Sequence, residues 1–128
     1  MLQIFDLIRF KTTSKVGKYI YIDSLKRKIK IPRETFLENI IKSQVYDFEE
    51  LIDFHIIAED GIFISRRPSY SCEVMEVKVM LKDCNRYIPL ITNPVRKDSR
   101  KYKKAYKKLQ EIVSTLQFIK MANEQFVV

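Results

Sequence analysis

A run of cations near the end of the sequence is the pattern most able to bind a ligand. Residues 96–108, RKDSRKYKKAYKK, hold eight Lys or Arg against one acid. Lysine is a flexible point charge that contacts phosphate oxygens without recognising particular bases. The segment therefore predicts salt-sensitive binding to the backbone of an anionic polymer. The predicted contact residues here are Arg100, Lys101, Lys103, Lys104, Lys107 and Lys108.

A second basic block occupies residues 1–33, with nine Lys or Arg against two acids, whereas residues 34–95 hold six against eleven. Charge segregated in this way favours a localised binding surface over a uniformly basic one. A solvated lysine-rich surface without a ligand is the competing interpretation. The candidates for base recognition are Arg33, Arg66 and Arg67, because a guanidinium can form two hydrogen bonds with guanine.

The segments GKYIYID and RKIKIP alternate apolar and polar residues at a period of two, as in a β-hairpin. If the isoleucines face the core, the opposite face combines aromatic and cationic side chains, namely Tyr19, Tyr21, Lys28 and Lys30. Rings that stack on bases beside cations that hold phosphates are typical of single-strand-binding surfaces. Packing of both tyrosines beneath the last helix is an equally good interpretation.

Glu76-Val77-Lys78 follows Asp53 and Asp60 in the sequence. This is the residue order of PD-(D/E)xK nucleases, in which two carboxylates hold a divalent metal and the lysine assists the attacking water. No Pro-Asp precedes the pair, and E-x-K arises readily on half-solvated strands. We therefore predict a protein without enzymatic activity, resident metal or cofactor. A metal-dependent nuclease using Asp53, Asp60, Glu76 and Lys78 is an alternative.

Other classes of site have little support in the sequence. The single histidine, His55, has no nearby nucleophile or second histidine, so we expect a structural imidazole. Glycine-rich nucleotide loops and CxxC pairs do not occur. No apolar run suits a membrane span, and the N-terminus carries Asp6 and Arg9 where a signal peptide is apolar. We expect a cytoplasmic protein, in the host-cell cytoplasm if the sequence is viral.

The 128 residues, 46% of them hydrophobic, suffice for one domain with its own core. The pattern predicts an α+β fold, mainly antiparallel sheet, with a short middle helix and a long C-terminal helix. A second hairpin is predicted to turn at Asp60-Gly61, a dipeptide favoured in type I′ turns. The segment RYIPLITNPV predicts an edge strand or a loop. The predicted strands are 2–10, 17–23, 27–32, 51–58, 62–67 and 72–82, and the predicted helices are 33–44 and 96–124.

The C-terminal helix carries an apolar seam with alternating spacings of three and four. Its members are Tyr102, Ala105, Leu109, Ile112, Leu116, Ile119, Asn123 and Phe126. Tyr106 and Val113 widen the seam, which favours docking on the protein's own sheet. A homodimer formed through this helix is the alternative. Phe118 and Met121 lie outside the seam and would also need covering.

Two segments resemble, in the same order, parts of the SpoVT/AbrB-type swapped-hairpin DNA-binding family. These are IDSLKRKIKIPRETF, residues 22–36, and FHIIAEDGIFISRRP, residues 54–68. The family's glycine before the arginine is missing, and the stretch between the segments is longer. The resemblance implies a dimer that contacts DNA through Lys26, Arg27, Lys28 and Arg33. The first hairpin, KYIYIDSLKRKIKI, also resembles the first β-turn-β of PC4-like single-strand binders.

These patterns together predict a nucleic-acid-binding protein, either a regulator or an accessory factor, that contacts phosphates through two basic segments. A protein-interaction module, such as an inhibitor or an assembly subunit, is the main alternative. It would use the acidic residues 47–60 or the Phe118 and Met121 pair. The sequence does not distinguish DNA from RNA or single strands from duplexes.

Overall fold

The computed structural model describes residues 10–32, 44–63 and 69–125. Within them lie two four-stranded antiparallel sheets and one long helix, which confirms the α+β fold class. The chain divides into two compact units, residues 1–48 and 49–128. The division falls within a short 3-10 turn, Phe48–Glu50. The single domain stays a prediction, because two compact units can still unfold as one cooperative system.

The first unit contains a sheet of four short strands in sequence order. They are β1 (Ser14–Val16), β2 (Ile20–Asp23), β3 (Lys28–Lys30) and β4 (Val45–Asp47). Ile22 lies opposite Ile29, and both side chains are buried together with Ile20 and Ile31. The period-two pattern therefore identified the core face correctly. The strands at 17–23 and 27–32 are shorter than predicted, and β1 and β4 were not predicted.

The second unit consists of four strands and a helix, and its central strand is flanked on both sides. The elements are β5 (Leu51–Phe63), β6 (Ser69–Leu81), β7 (Asn85–Ile91), β8 (Val95–Arg96) and α1 (Arg100–Gln125). One side of β6 pairs with β5, and the other side is shared by β7 and β8. The helix contacts all four strands. Its seam residues Leu109, Ile112, Leu116 and Ile119 are buried, so the seam docks on the protein's own sheet as preferred.

The predicted turn at Asp60-Gly61 is wrong. Strand β5 continues through both residues, and Asp60 lies opposite Cys72 while Gly61 lies opposite Ser71. A type I′ turn needs positive φ at both central residues, but only Arg27 and Gly17 have positive φ in the described residues. The pairing skips Glu73, which bulges from β6, and a Cβ on Gly61 would collide with its carboxylate. Gly61 therefore lies beside a β-bulge, and strand β5 contains the predicted strand 51–58 together with residues 62 and 63 of the predicted strand 62–67. Residues 64–67 lie outside the described ranges.

The remaining predictions agree with the structure or fall outside it. Strand 72–82 corresponds to β6, RYIPLITNPV contains the edge strand β7, and helix 96–124 corresponds to α1. The helix begins at Arg100 because the Oγ of Ser99 accepts the N–H of Tyr102 at 3.1 Å and caps it. Strand 2–10 and helix 33–44 fall almost wholly on residues outside the described ranges. None of the helices in the described ranges is long and apolar enough to cross a lipid bilayer.

Candidate nucleic-acid interface

A buried carboxylate fixes the turn between β2 and β3. Asp23 is 1% exposed and accepts the backbone N–H groups of Lys11 at 2.9 Å and of Lys26 at 3.1 Å. These donors favour the charged carboxylate, so the pKa of Asp23 is lowered, most of all by the N–H of Lys11, while burial opposes the shift. The turn that displays the basic residues of the first hairpin is therefore held by one charged side chain.

Arg27 ends this turn and packs inward. Its φ is 54°, in the left-handed region that residues with side chains seldom adopt. The guanidinium carbon lies 5.2 Å from the centre of the Phe48 ring, and the carbonyl of Arg27 accepts the Phe48 N–H at 2.9 Å. Arg27 was predicted to contact nucleic acid, but the structure places its half-buried side chain against the core of the first unit.

The outer face of the first sheet does bring an aromatic ring and cations together. Tyr21 lies opposite Lys15 on one side and Lys30 on the other. The Nζ of Lys30 lies 5.9 Å from the centre of the Tyr21 ring. Opposite residues share a face of a sheet, so Lys15, Tyr21 and Lys30 form one row, which we call the Tyr21 face. Sequence reasoning missed Lys15, because the three-residue strand β1 is too short to show a pattern.

Three other predicted residues of this hairpin, Tyr19, Lys26 and Lys28, are not part of the Tyr21 face. Lys28 forms an ion pair with Asp47 at 2.8 Å. Tyr19 lies in the turn before β2, where its N–H donates to the carbonyl of Val16 at 3.0 Å. Lys26 contributes its backbone N–H to Asp23 and follows the exposed Leu25. Arg33, Arg66 and Arg67 lie outside the described residues.

The first two turns of α1 carry a face of cations. Arg100, Lys103, Lys104 and Lys107 are spaced by three and four residues, and all are exposed. We call these four the α1 basic face. Their side chains form no ion pair or hydrogen bond with the described part of the chain, and no acid lies in the first turn. The other two predicted residues of the helix are Lys101 and Lys108. Lys101 lines a small cavity beside Leu90 and Val95.

Ion pairs occupy the basic residues on either side of this face. Lys108 contacts Glu111 at 3.2 Å, and Lys97 contacts Asp60 at 2.8 Å. The Nε of Arg96 lies 3.3 Å from Asp98. The α1 basic face thus contains half of the basic residues of the segment, and its side chains form no ion pair with the described part of the chain.

The α1 basic face opposes the stability of the helix that carries it. The N-terminus of a helix is the positive end of its dipole, so cations there are unfavourable. Arg100 with Lys104, and Lys103 with Lys107, also place like charges four residues apart, at a cost of about 0.2–0.5 kcal/mol per pair. A bound polyanion would relieve both costs. The arrangement is therefore suited to holding phosphates.

The residues of the alternative nuclease lie on β5 and β6, with Asp53, Glu76 and Lys78 on one face of the second sheet. Asp53 accepts a hydrogen bond from Lys120 at 3.0 Å, and this contact is the main reason that the pKa of Asp53 is lowered. Asp60 is engaged by Lys97, while Glu76 and Lys78 lie elsewhere on β6, opposite Ile57 and His55. Across the described ranges, no three His, Cys, Asp or Glu side chains form a group that could hold a metal.

No protein-family model matches the chain, and no curated protein or solved structure is significantly similar to it. The resemblances to SpoVT/AbrB-type proteins and to PC4-like single-strand binders therefore stay predictions. The candidate site rests on the geometry and charge of the α1 basic face and the Tyr21 face.

Proposed function

We propose that the protein binds nucleic acid without enzymatic activity, as a regulator or accessory factor in the cytoplasm. The α1 basic face carries the proposal, because four exposed cations without ion pairs destabilise the helix that displays them. At 1.5 Å per residue, Arg100 to Lys107 spans about 10 Å of helix. That length matches about three phosphates along one strand of a duplex.

The Tyr21 face supports a second contact with the same kind of ligand. A half-buried ring with a lysine on each side can stack on a base while the two ammonium groups approach the flanking phosphates. Stacking needs an unpaired base, whereas the α1 basic face can follow any phosphate backbone. Single-stranded and duplex ligands therefore have to be compared directly.

The test compares two variants with equal charge in the same unit. Lys103→Gln/Lys107→Gln removes two cations of the α1 basic face, and Lys78→Gln/Lys82→Gln removes two cations from β6 and the turn after it. Binding to single-stranded DNA, duplex DNA and RNA is measured by fluorescence anisotropy across a salt series. For duplex DNA we expect the first variant to lower the slope of log affinity against log salt by about 1.8, at about 0.9 per phosphate contact.

The control pair should leave this slope close to that of the wild type. An equal decrease of the slope in the two variants would show that net charge alone attracts the polymer and that the α1 basic face is not the binding surface. Absence of binding by the wild type at low salt, to all three ligands, would remove the proposed function.

One observation favours the alternative of a protein-interaction module. Phe118 is 70% exposed and Met121 is 51% exposed, and they are neighbours on the outer face of α1. This alternative predicts one stoichiometric protein partner that is still recovered after nuclease treatment. The variant Phe118→Ser/Met121→Ser should no longer bind that partner.

A further inference from the structure

Among the strands of the described ranges, β5 presents a long open edge. It has 13 residues and pairs on one side with β6, and no other described strand pairs with it. Native sheets protect their edges with short strands, proline or lysine. The opposite edge strand, β7, has 7 residues and contains Pro89. By contrast, β5 contains no proline, lysine or arginine, and its bulged residue, Ile52, lies at its start, so the rest of its edge is suited to the addition of another strand.

The apolar rows of the second sheet also end at β5 with side chains partly uncovered. Ile88 and Ile56 lie on either side of Val77, so all three share one face of the sheet. Val77 is 0% exposed and Ile88 is 2% exposed, whereas Ile56 is 50% exposed. A further strand beside β5 would extend this row and cover part of the Ile56 side chain.

The sequence of β5 is complementary to itself around Ile57. His55 and Glu59 lie two residues before and after Ile57, on the same face of the strand. If two copies of β5 pair antiparallel with Ile57 at the centre, each His55 lies opposite Glu59 of the partner subunit. The His55 side chain is 59% exposed, and Glu59 is exposed. When His55 is protonated, an opposite-charge pair would then lie on each side of a central pair of isoleucines.

We propose that β5 pairs antiparallel with β5 of a second copy of this chain, centred on Ile57. The contact is a two-fold one, in which the same surface of each subunit meets itself. It joins the second sheet of one copy to the second sheet of the other copy, so that the two form one continuous sheet. This dimer uses the sheet edge, not the α1 seam, which the protein's own sheet already covers. It is independent of nucleic-acid binding.

Charge exchange tests the register of this pairing. Sedimentation equilibrium, from micromolar to millimolar protein without nucleic acid, gives the dimer dissociation constant. His55→Glu places a carboxylate opposite Glu59 of the partner subunit, and Glu59→Lys places an ammonium opposite His55. Since each dimer contains two such pairs, we expect either single variant to weaken dimerisation roughly two- to thirty-fold. The double variant restores opposite charges and should return the dissociation constant toward that of the wild type.

Two further variants keep the test decisive. Phe118→Ser/Met121→Ser alters the exposed apolar pair of α1 and should leave dimerisation unchanged. His55→Lys places a permanent cation opposite Glu59 of the partner subunit and should strengthen dimerisation. This variant replaces the charge-exchange test if one of the single variants loses its native circular dichroism. Any of three results would overturn the proposal. The wild type could be monomeric at millimolar concentration, or the double variant could fail to restore the dimerisation that the single variants weaken. The third result is a dimer that is lost only with the Phe118 and Met121 changes.

Discussion

At the scale of single residues, Asp23 has the clearest chemical role in the first unit. Its buried carboxylate accepts the backbone N–H of Lys26 in the β2–β3 turn and that of Lys11 in the segment before β1. The charge improves these hydrogen bonds, since a carboxylate is a stronger acceptor than a neutral amide. The pKa of Asp23 is lowered for the same reason, which links the stability of the turn to pH.

We expect Asp23→Asn to reduce the free energy of unfolding at neutral pH and to make that energy less sensitive to acid. A group whose pKa is lowered on folding stabilises the protein above its unfolded pKa, about 3.9 for Asp, and loses that contribution as the pH falls through the folded value. The difference in the free energy of unfolding between wild type and variant should therefore become smaller below about pH 4. Urea unfolding at several pH values measures it. Asp83→Asn, at an exposed site, is the control and should show a small difference throughout.

Residue types alone could not show which cations of the first hairpin are available to a ligand. Period-two alternation correctly placed Tyr21 beside Lys30. Lys28 looks equivalent to Lys30 in the sequence, yet Asp47, 19 residues away, engages it. Arg27 has a left-handed backbone, and its guanidinium lies over the ring of Phe48, 21 residues away in the sequence. Both outcomes depend on contacts with distant residues that no local pattern contains.

At the scale of elements, α1 combines a well-packed seam with an unfavourable charge distribution. Its buried residues anchor it to the sheet, and its first turns carry cations without compensating acids. Binding and stability should therefore respond to the same substitutions in opposite directions.

We expect Lys103→Gln/Lys107→Gln to raise the free energy of unfolding by about 0.5–1.5 kcal/mol at low ionic strength, because it removes several like-charge pairs and one cation of the first helical turn. The gain should largely disappear near 1 M salt, where the Debye length is about 3 Å. Urea unfolding at both salt concentrations measures the effect, since urea adds no charge. A loss of stability at low salt would show that these lysines support the helix and would contradict the account of the α1 basic face.

Sequence patterns located α1 and β6 well, because both elements are long and strongly periodic. The same reasoning misread Asp60-Gly61, since a local turn preference does not include the pairing of two strands of 13 residues each. Strands β1 and β4 were missed because three residues cannot establish a period. Sequence analysis placed the basic segment on α1 but could not tell which of its cations lack ion pairs.

At the scale of the whole molecule, the two candidate surfaces belong to different compact units. The Tyr21 face lies in the first unit, and the α1 basic face lies in the second. Their contributions to binding can therefore be separated by mutation without shared contacts between the altered residues.

We expect the effects of Tyr21→Ala/Lys30→Gln and Lys103→Gln/Lys107→Gln on log affinity to add in the combined variant when the ligand is a long single strand. Residues without shared partners usually contribute independently, and a long polymer can engage both surfaces. With an oligonucleotide too short to contact both surfaces at once, the two changes should no longer add. Anisotropy titrations of the four proteins with ligands of two lengths provide the measurement. If the Tyr21 and Lys30 changes have no effect on either ligand, the first unit does not bind.

The order of strands in the second sheet also has a consequence for folding kinetics. β5 pairs with β6, and β6 with β7, so most contacts of the sheet join neighbours along the chain. Such local topology favours rapid folding. The face containing Val77 and Ile88 nevertheless stays open to water until α1 covers it. Because the cations of α1 weaken the isolated helix, formation of α1 and closure of the core are expected to be a single kinetic event.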